Sequence, residues 1–268
     1  MCQNKTLKKS NSKMITLRNL TGLSLALLLS MPLAAQNYIE TSQKLLRAMK
    51  NGGNAKPYVE AIAQADPDKL AATINTDRER LAFWINLYNG LIQYHLTQNP
   101  AYYDDRDEFF GADILTVAGE KVSFDNLEHG VLRRGTSKYS MGYFSNPFGS
   151  DWHEPYQVAE IDWRIHFALN CGAASCPPVR IYDEATIDAQ LNASTNQYLD
   201  SQVRYEAAEE TVYGPALFSW FRGDFGGTSG AKEILKNRDY IPTTEVDLEY
   251  KEYDWTLKIG PEVFYEQE

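Results

Sequence analysis

Cys171 and Cys176 stand five positions apart, with His166 five positions before the first of them. A thiol becomes a nucleophile when a base removes its proton and a third group holds that base in place. The chain offers Cys171 or Cys176 as nucleophile and His166 or His129 as base. Asn86, Asn89, Asn170, Asp125 or Glu128 can orient the ring. Gly172, Ala173, Ala174 and Ser175 are all small, so the amides ahead of Cys176 are expected to form a concavity for an oxyanion. The same spacing also suits a bland use, a Cys171–Cys176 disulfide stapling a turn, which is the default in an oxidising compartment. Both readings stay open. A metal is not expected: Cys-x4-Cys lacks a second Cys-x2-Cys pair and runs into Pro177-Pro178. No glycine-rich phosphate loop, GxGxxG, GxSxG or HExxH is present, so no cofactor is implied.

The elements that must position these groups follow from periodicity and punctuation. Residues 36–75 read as helical, broken at Asn51-Gly-Gly-Asn54. Thr76-Asp-Arg-Glu79 is a capping box that starts a helix through Leu96. Apolar residues cover most of this helix, which marks it as central and buried. Asn86 and Asn89 share one of its faces. Ile114 to Val122 reads as a hairpin around Ala118-Gly119. Ser123 caps a short helix carrying Glu128 and His129, stopped by Gly135. Residues 136–157 form a long loop suited to lining a site. Ile165, Phe167 and Leu169 alternate with Arg164, His166 and Asn170, which predicts a strand ended by Pro177-Pro178. An amphipathic helix over 186–200, short strands near 203–206 and 211–213, and the glycine loop Arg222-Gly-Asp-Phe-Gly-Gly227 follow. A strand or hairpin over 245–259 closes the chain. The fold class these elements imply is α+β. A helical N-terminal part packs on a small, mostly antiparallel sheet around a central buried helix.

The chain has 268 residues, 43% of them hydrophobic, enough for a sizeable core. Its formal charge of −10 argues against nucleic acid or an anionic membrane surface as partner. Lys5, Lys8, Lys9, Lys13 and Arg18 precede the apolar run Leu23 to Leu29, and Pro32-Leu-Ala-Ala35 ends it in small residues. That is the grammar of a secretory signal with cleavage near Ala35. The apolar run is too short for a membrane anchor, so the mature form is expected without stable membrane insertion, in the periplasm or outside the cell. Cys2 falls in the leader, leaving Cys171 and Cys176 to the mature chain.

Taken together, four segments are familiar. Phe83-Trp-Ile-Asn-Leu-Tyr-Asn89, Leu127-Glu-His-Gly-Val-Leu-Arg133, the stretch from Arg164 to Pro177, and Trp220 with Asp224-Phe225 resemble the DUF547 domain family. The likeness runs over about residues 75–227, with Asp162-Trp-Arg164 standing where the family commonly has Asp-Pro-Arg. The family is named for its unknown function and occurs in bacterial secreted proteins and at the C-terminus of plant proteins. A more distant likeness to papain- and transglutaminase-like thiol enzymes implies a cysteine, a histidine and a polar orienter brought together. The recurring family positions match His129, His166, Cys171 and Cys176 here.

The expected organisation is therefore a signal peptide over 1–35, a helical extension over 36–75, a DUF547-like core over 76–227, and a C-terminal helix and strand over 228–268. The expected function is a secreted cysteine-dependent hydrolase or acyl transferase with catalytic Cys176, Cys171, His166 and His129. Asn86, Asn89, Glu128, Arg164, Asn170 and Ser175 are its binding groups. The competing expectation is a non-enzymatic module whose disulfide-shaped loop presents His166 and Arg164 to a small-molecule, peptide or protein ligand.

Overall fold

The computed structural model describes residues 37–146 and 151–265; the expected leader lies outside them. The fold is α+β and is organised around helix α4 (Asp77–Gln98). Glu79 Oε2 accepts from the Thr76 amide at 2.9 Å while Thr76 Oγ1 accepts from the Glu79 amide, so the capping box forms as its residues imply. From Leu81 to Gln93 every residue of α4 is buried. A helix with no wet face must be covered on all sides, and α1 (Tyr38–Lys50) supplies one cover. At Gly90 the two helices come so close that a Cβ would fall 2.8 Å from Leu45 Cδ2.

Three short helices, α2 (Lys56–Ala63), α3 (Pro67–Thr73) and α5 (Arg106–Gly111), surround this pair. The hairpin of β1 (Leu115–Val117) and β2 (Glu120–Val122) is antiparallel. Its turn residues Ala118 and Gly119 both take positive φ, 50° and 85°, the backbone a two-residue hairpin needs. After α6 (Ile187–Gln202), β3 (Arg204–Glu206) pairs antiparallel with β4 (Thr211–Gly214). β5 (Asp247–Tyr250) then adds to β4 in parallel. Helices α7 (Leu217–Trp220) and α8 (Gly227–Lys236) lie between β4 and β5 in the chain. Among the described residues, no helix is long and apolar enough to cross a membrane.

One expected element is different. Residues 164–170 do not form a strand: Trp163–Phe167 is a 3-10 turn, started by Asp162, whose carboxylate accepts from the Arg164 amide at 3.0 Å. Period-two alternation suggests one wet face, but Ile165 through Asn170 are all buried. Ile165, Ala168 and Leu169 enter the hydrophobic cluster around α4. Phe167 enters a second cluster formed with α6, α7, α8 and the three-stranded sheet. His166 and Asn170 turn inward because each finds a partner there. The segment is central, but as a seam between two cores. Beyond β5, the expected continuation of the closing strand is irregular chain laid across the cysteine loop, bridged at Ala173 to Leu257.

Gly90→Ala is expected to lower stability by about 1–3 kcal/mol by overpacking the α1–α4 contact, measured as a lower denaturation midpoint. An unchanged midpoint would show that Leu45 yields freely.

Candidate functional site

The loop from Asn170 to Cys176 is built on α4. Asn89, wholly buried, donates to the Ala168 carbonyl at 2.9 Å and accepts from the Asn170 amide at 2.8 Å. Asn170 in turn donates to the Pro177 carbonyl and accepts from the Gly172 amide. Within the loop every amide is committed. Those of Cys171 and Ala173 donate to Cys176 Sγ, at 3.0 and 3.3 Å. Those of Ala174 and Ser175 donate to the carbonyls of Thr256 and Asp254, and that of Cys176 to Ala173. The oxyanion concavity expected from Gly172 to Ser175 is therefore not formed, because the loop spends its donors on its own shape and on the crossing chain.

The two cysteines are free thiols with different surroundings. Cys176 is buried, and its sulfur, which also accepts from Tyr253 Oη at 3.2 Å, acts as a hub of the turn. Cys171 is half-buried and lines a cavity, with Tyr253 Oη 3.6 Å from its sulfur. A hydrogen bond from the Cys176 thiol, with a further one from Tyr253, draws the Cys171 pKa below the ordinary thiol value despite burial. Cys176 is pushed well up by burial and by its neighbour. The sulfurs titrate as a pair, with the first proton leaving the thiol that faces the cavity.

Both histidines belong to one buried network. Arg133 holds Asp224 through two contacts, Nε to Oδ2 at 2.6 Å and Nη2 to Oδ1 at 3.1 Å. Its Nη1 donates to His129 Nδ1 at 2.7 Å, which leaves the His129 proton on Nε2. Burial, with help from Arg133 and Lys138, keeps His129 neutral by drawing its pKa well down. On the other side Asp224 Oδ2 accepts from His166 Nε2 at 2.8 Å. Burial raises Asp224, but the hydrogen bonds from His166 and Arg133 overcome it and hold the carboxyl at about 2. His166 is therefore a neutral ring protonated at Nε2, with Nδ1 unprotonated. Burial keeps its pKa low, and it stacks on Phe221 at 3.8 Å. Among the described residues, no hydrogen bond joins either histidine to either sulfur.

A cavity of about 280 Å³ gathers Cys171, His166, His129 and Glu128, with Trp220, Phe221, Tyr253 and Trp255 among its walls. Glu128 accepts from Tyr88 Oη at 3.2 Å. Burial pushes its pKa up to about 7 against the pull of Arg133. It thus exchanges a proton at neutral pH, a poise suited to acid–base work. Glu128 and His129 lie on a π turn over Asn126–Leu132, and Arg133 caps its C-terminal end.

The other expected site residues lie elsewhere or do other work. Asn86 clamps the backbone of Tyr182 by both its N–H and its carbonyl, while Asn89 and Asn170 brace the cysteine loop. Arg164 pairs with Asp162 and Asp188 and does not line the cavity. Ser175 accepts from the Asp254 amide and pins the crossing chain. Tyr88 and Tyr253 were not anticipated as site residues. Tyr88 carried a readable signal, one helical turn from both Leu91 and Trp84 on a polar-punctuated face; Tyr253 carried none.

Residues 72–199 match the family model described as a protein of unknown function, DUF547. That stretch belongs to the DUF547 family. No curated protein and no solved structure matches the chain. The matched stretch holds both thiols, both network histidines and Glu128, while Asp224, Tyr253 and Trp255, which complete the site, come from beyond it.

The site has a signature in stability. The raised pKa of Glu128 means the folded state holds a proton that the unfolded state releases near pH 4.3, so stability falls as pH rises from about 4.3 to 7. Glu128→Gln is expected to flatten that decline and gain about 3–4 kcal/mol at pH 8 over the parent. Denaturant titrations at pH 5 and pH 8 measure it, and equal slopes in both proteins would contradict it.

Proposed function

We propose that this DUF547 protein is an exported cysteine-dependent hydrolase or acyl transferase. The single observation that carries the reading is the convergence on one cavity of an acidified thiol, Cys171, and a neutral histidine, His166, fixed by the ionised Asp224. Export to the periplasm or the cell exterior rests on the basic and apolar pattern of residues 1–35.

In this reading His166 Nδ1 takes the thiol proton and Cys171 attacks the acyl carbon. The leaving amine, alcohol or thiol departs with a proton, and the acyl group rests on sulfur. His166 then deprotonates water or an acceptor amine, which attacks the acyl-enzyme and releases Cys171. Asp224 is the positioning residue, since it sets the tautomer that leaves Nδ1 unprotonated. Glu128, about half protonated at neutral pH, supplies the leaving group's proton and then takes the thiol proton back from His166, which frees Nδ1 for the second half of the reaction. With the loop amides spent, Tyr253 Oη and Tyr88 Oη are the donors that would turn from Cys176 Sγ and Glu128 to a developing oxyanion. Cys176 supports the turn.

A panel of peptide, amide, ester and thioester substrates tests the reading, with the acyl-enzyme trapped and weighed. Cys171→Ala is expected to abolish turnover and the adduct. His166→Ala should cost about 100- to 10,000-fold in kcat. Activity should fall as pH rises through about 7, as Glu128 loses its proton, and Glu128→Gln should remove that limb. Turnover retained in Cys171→Ala, or a native Cys171–Cys176 disulfide, would overturn the reading and favour a binding module.

A further inference from the structure

The charges around the cavity are one-sided. Asp107, Asp125 and Glu128 line it, and among the described residues that do so Lys138 is the one cation. Lys138 is already paired with Asp125. Arg133 is spent on Asp224 and His129 and is not part of the wall. The two histidines that line the cavity are neutral, for the reasons of burial given above. A carboxylate or phosphate entering here would shed water and find no unpaired cation among the described lining residues, which is costly. A cation meets the opposite situation. Among the described residues, Asp107, exposed at the wall, has no ion-pair partner, and Glu128 accepts a hydrogen bond from the Tyr88 hydroxyl alone.

The apolar wall points the same way. Trp220, Tyr253 and Trp255 pack ring against ring, with centroids 4.7 to 5.5 Å apart. Trp220 and Trp255 nevertheless each keep 37% of their surface exposed. Exposed indole faces attract cations and cover apolar stems. Trp255 already does so once, with the Arg106 guanidinium 4.9 Å from its centroid.

We propose that the cavity selects a substrate bearing an ammonium or guanidinium group on an apolar stem, the cation seated between Asp107 and the Trp220–Tyr253–Trp255 cluster. The identity of the reacting bond rests on the thiol reading above, while the charge preference stands on the cavity alone.

Two methanethiosulfonate reagents of similar size test this on the full chain, one with an aminoethyl group and one with a sulfonatoethyl group. Each transfers its thioalkyl group to a thiolate and releases methanesulfinate, and peptide mass gives the rate at Cys171. The cation-to-anion rate ratio, divided by the same ratio on a small free thiol, is expected to exceed about tenfold at roughly 0.15 M salt. Asp107→Asn should cut that ratio by about threefold or more. Asp68→Asn removes the same charge at an exposed position outside the cavity wall and should leave the ratio unchanged. A ratio near one, or an equal effect of both substitutions, overturns the charge proposal and leaves the thiol reading standing. Silence of Cys171 toward both reagents overturns the thiol reading instead. Tryptophan fluorescence then decides the charge proposal, with benzyltrimethylammonium expected to quench at about tenfold lower concentration than benzenesulfonate. Equal quenching by the two overturns it.

Discussion

Arg133 and Asp224 meet with side chains 1% and 0% exposed, a complete ion pair taken out of water. Such a pair repays its desolvation only when every remaining donor and acceptor is used. Here each guanidinium nitrogen and each carboxylate oxygen has a partner: the carboxylate also accepts from His166 Nε2, and the guanidinium also donates to His129 and lies 4.8 Å from the centre of the Phe221 ring. Losing either partner would strand a charge, at a typical cost of about 3–5 kcal/mol. One contact therefore fixes the loop around residue 224 against the helix of Asn126–Leu132 and sets the tautomers of two histidines. The loop before it is fitted to the same centre. Gly142, at φ +93°, passes so close that a Cβ there would fall 2.8 Å from the Asp224 amide nitrogen, and Gly223 donates to the Met141 carbonyl at 2.7 Å.

The cysteine loop applies the same economy to its backbone. Asn89 and Asn170 hold its entry, the crossing chain takes two of its amides, and the sulfur of Cys176 takes two more. The consequence is a division of labour between two chemically equal residues. One thiol is consumed as an acceptor inside the turn, and the other is left at the cavity wall with donors close enough to favour its anion. Position relative to the turn, rather than residue type, separates structure from chemistry.

Much of this was legible in the chain. Helix α4 announces itself through Thr76, Glu79 and an apolar circumference, and the hairpin through Ala118-Gly119. The four reactive positions His129, His166, Cys171 and Cys176 stand out by type. The strand expected over 164–170 fails because periodicity reports which residues are apolar, and not whether the polar ones in between have found buried partners. His166 is satisfied by Asp224, 58 residues on, and no local pattern encodes that pairing. The amide inventory is similarly hidden: small residues permit an oxyanion concavity, but whether Ala174 and Ser175 keep free N–H groups depends on where Asp254 and Thr256 cross. The asparagines were visible as buried amides, and their bracing role follows once the backbone beside them is known.

The account depends most directly on the inequality of the two thiols. Thiolate absorbance near 240 nm, followed against pH on the native protein and with Cys171→Ser and Cys176→Ser as assignments, measures it. The account predicts one thiolate forming clearly below the ordinary thiol value of about 8.5, assigned to Cys171, with the second appearing only well above it. Two thiols titrating together near 8.5, or no titratable thiol in the native protein, would contradict it.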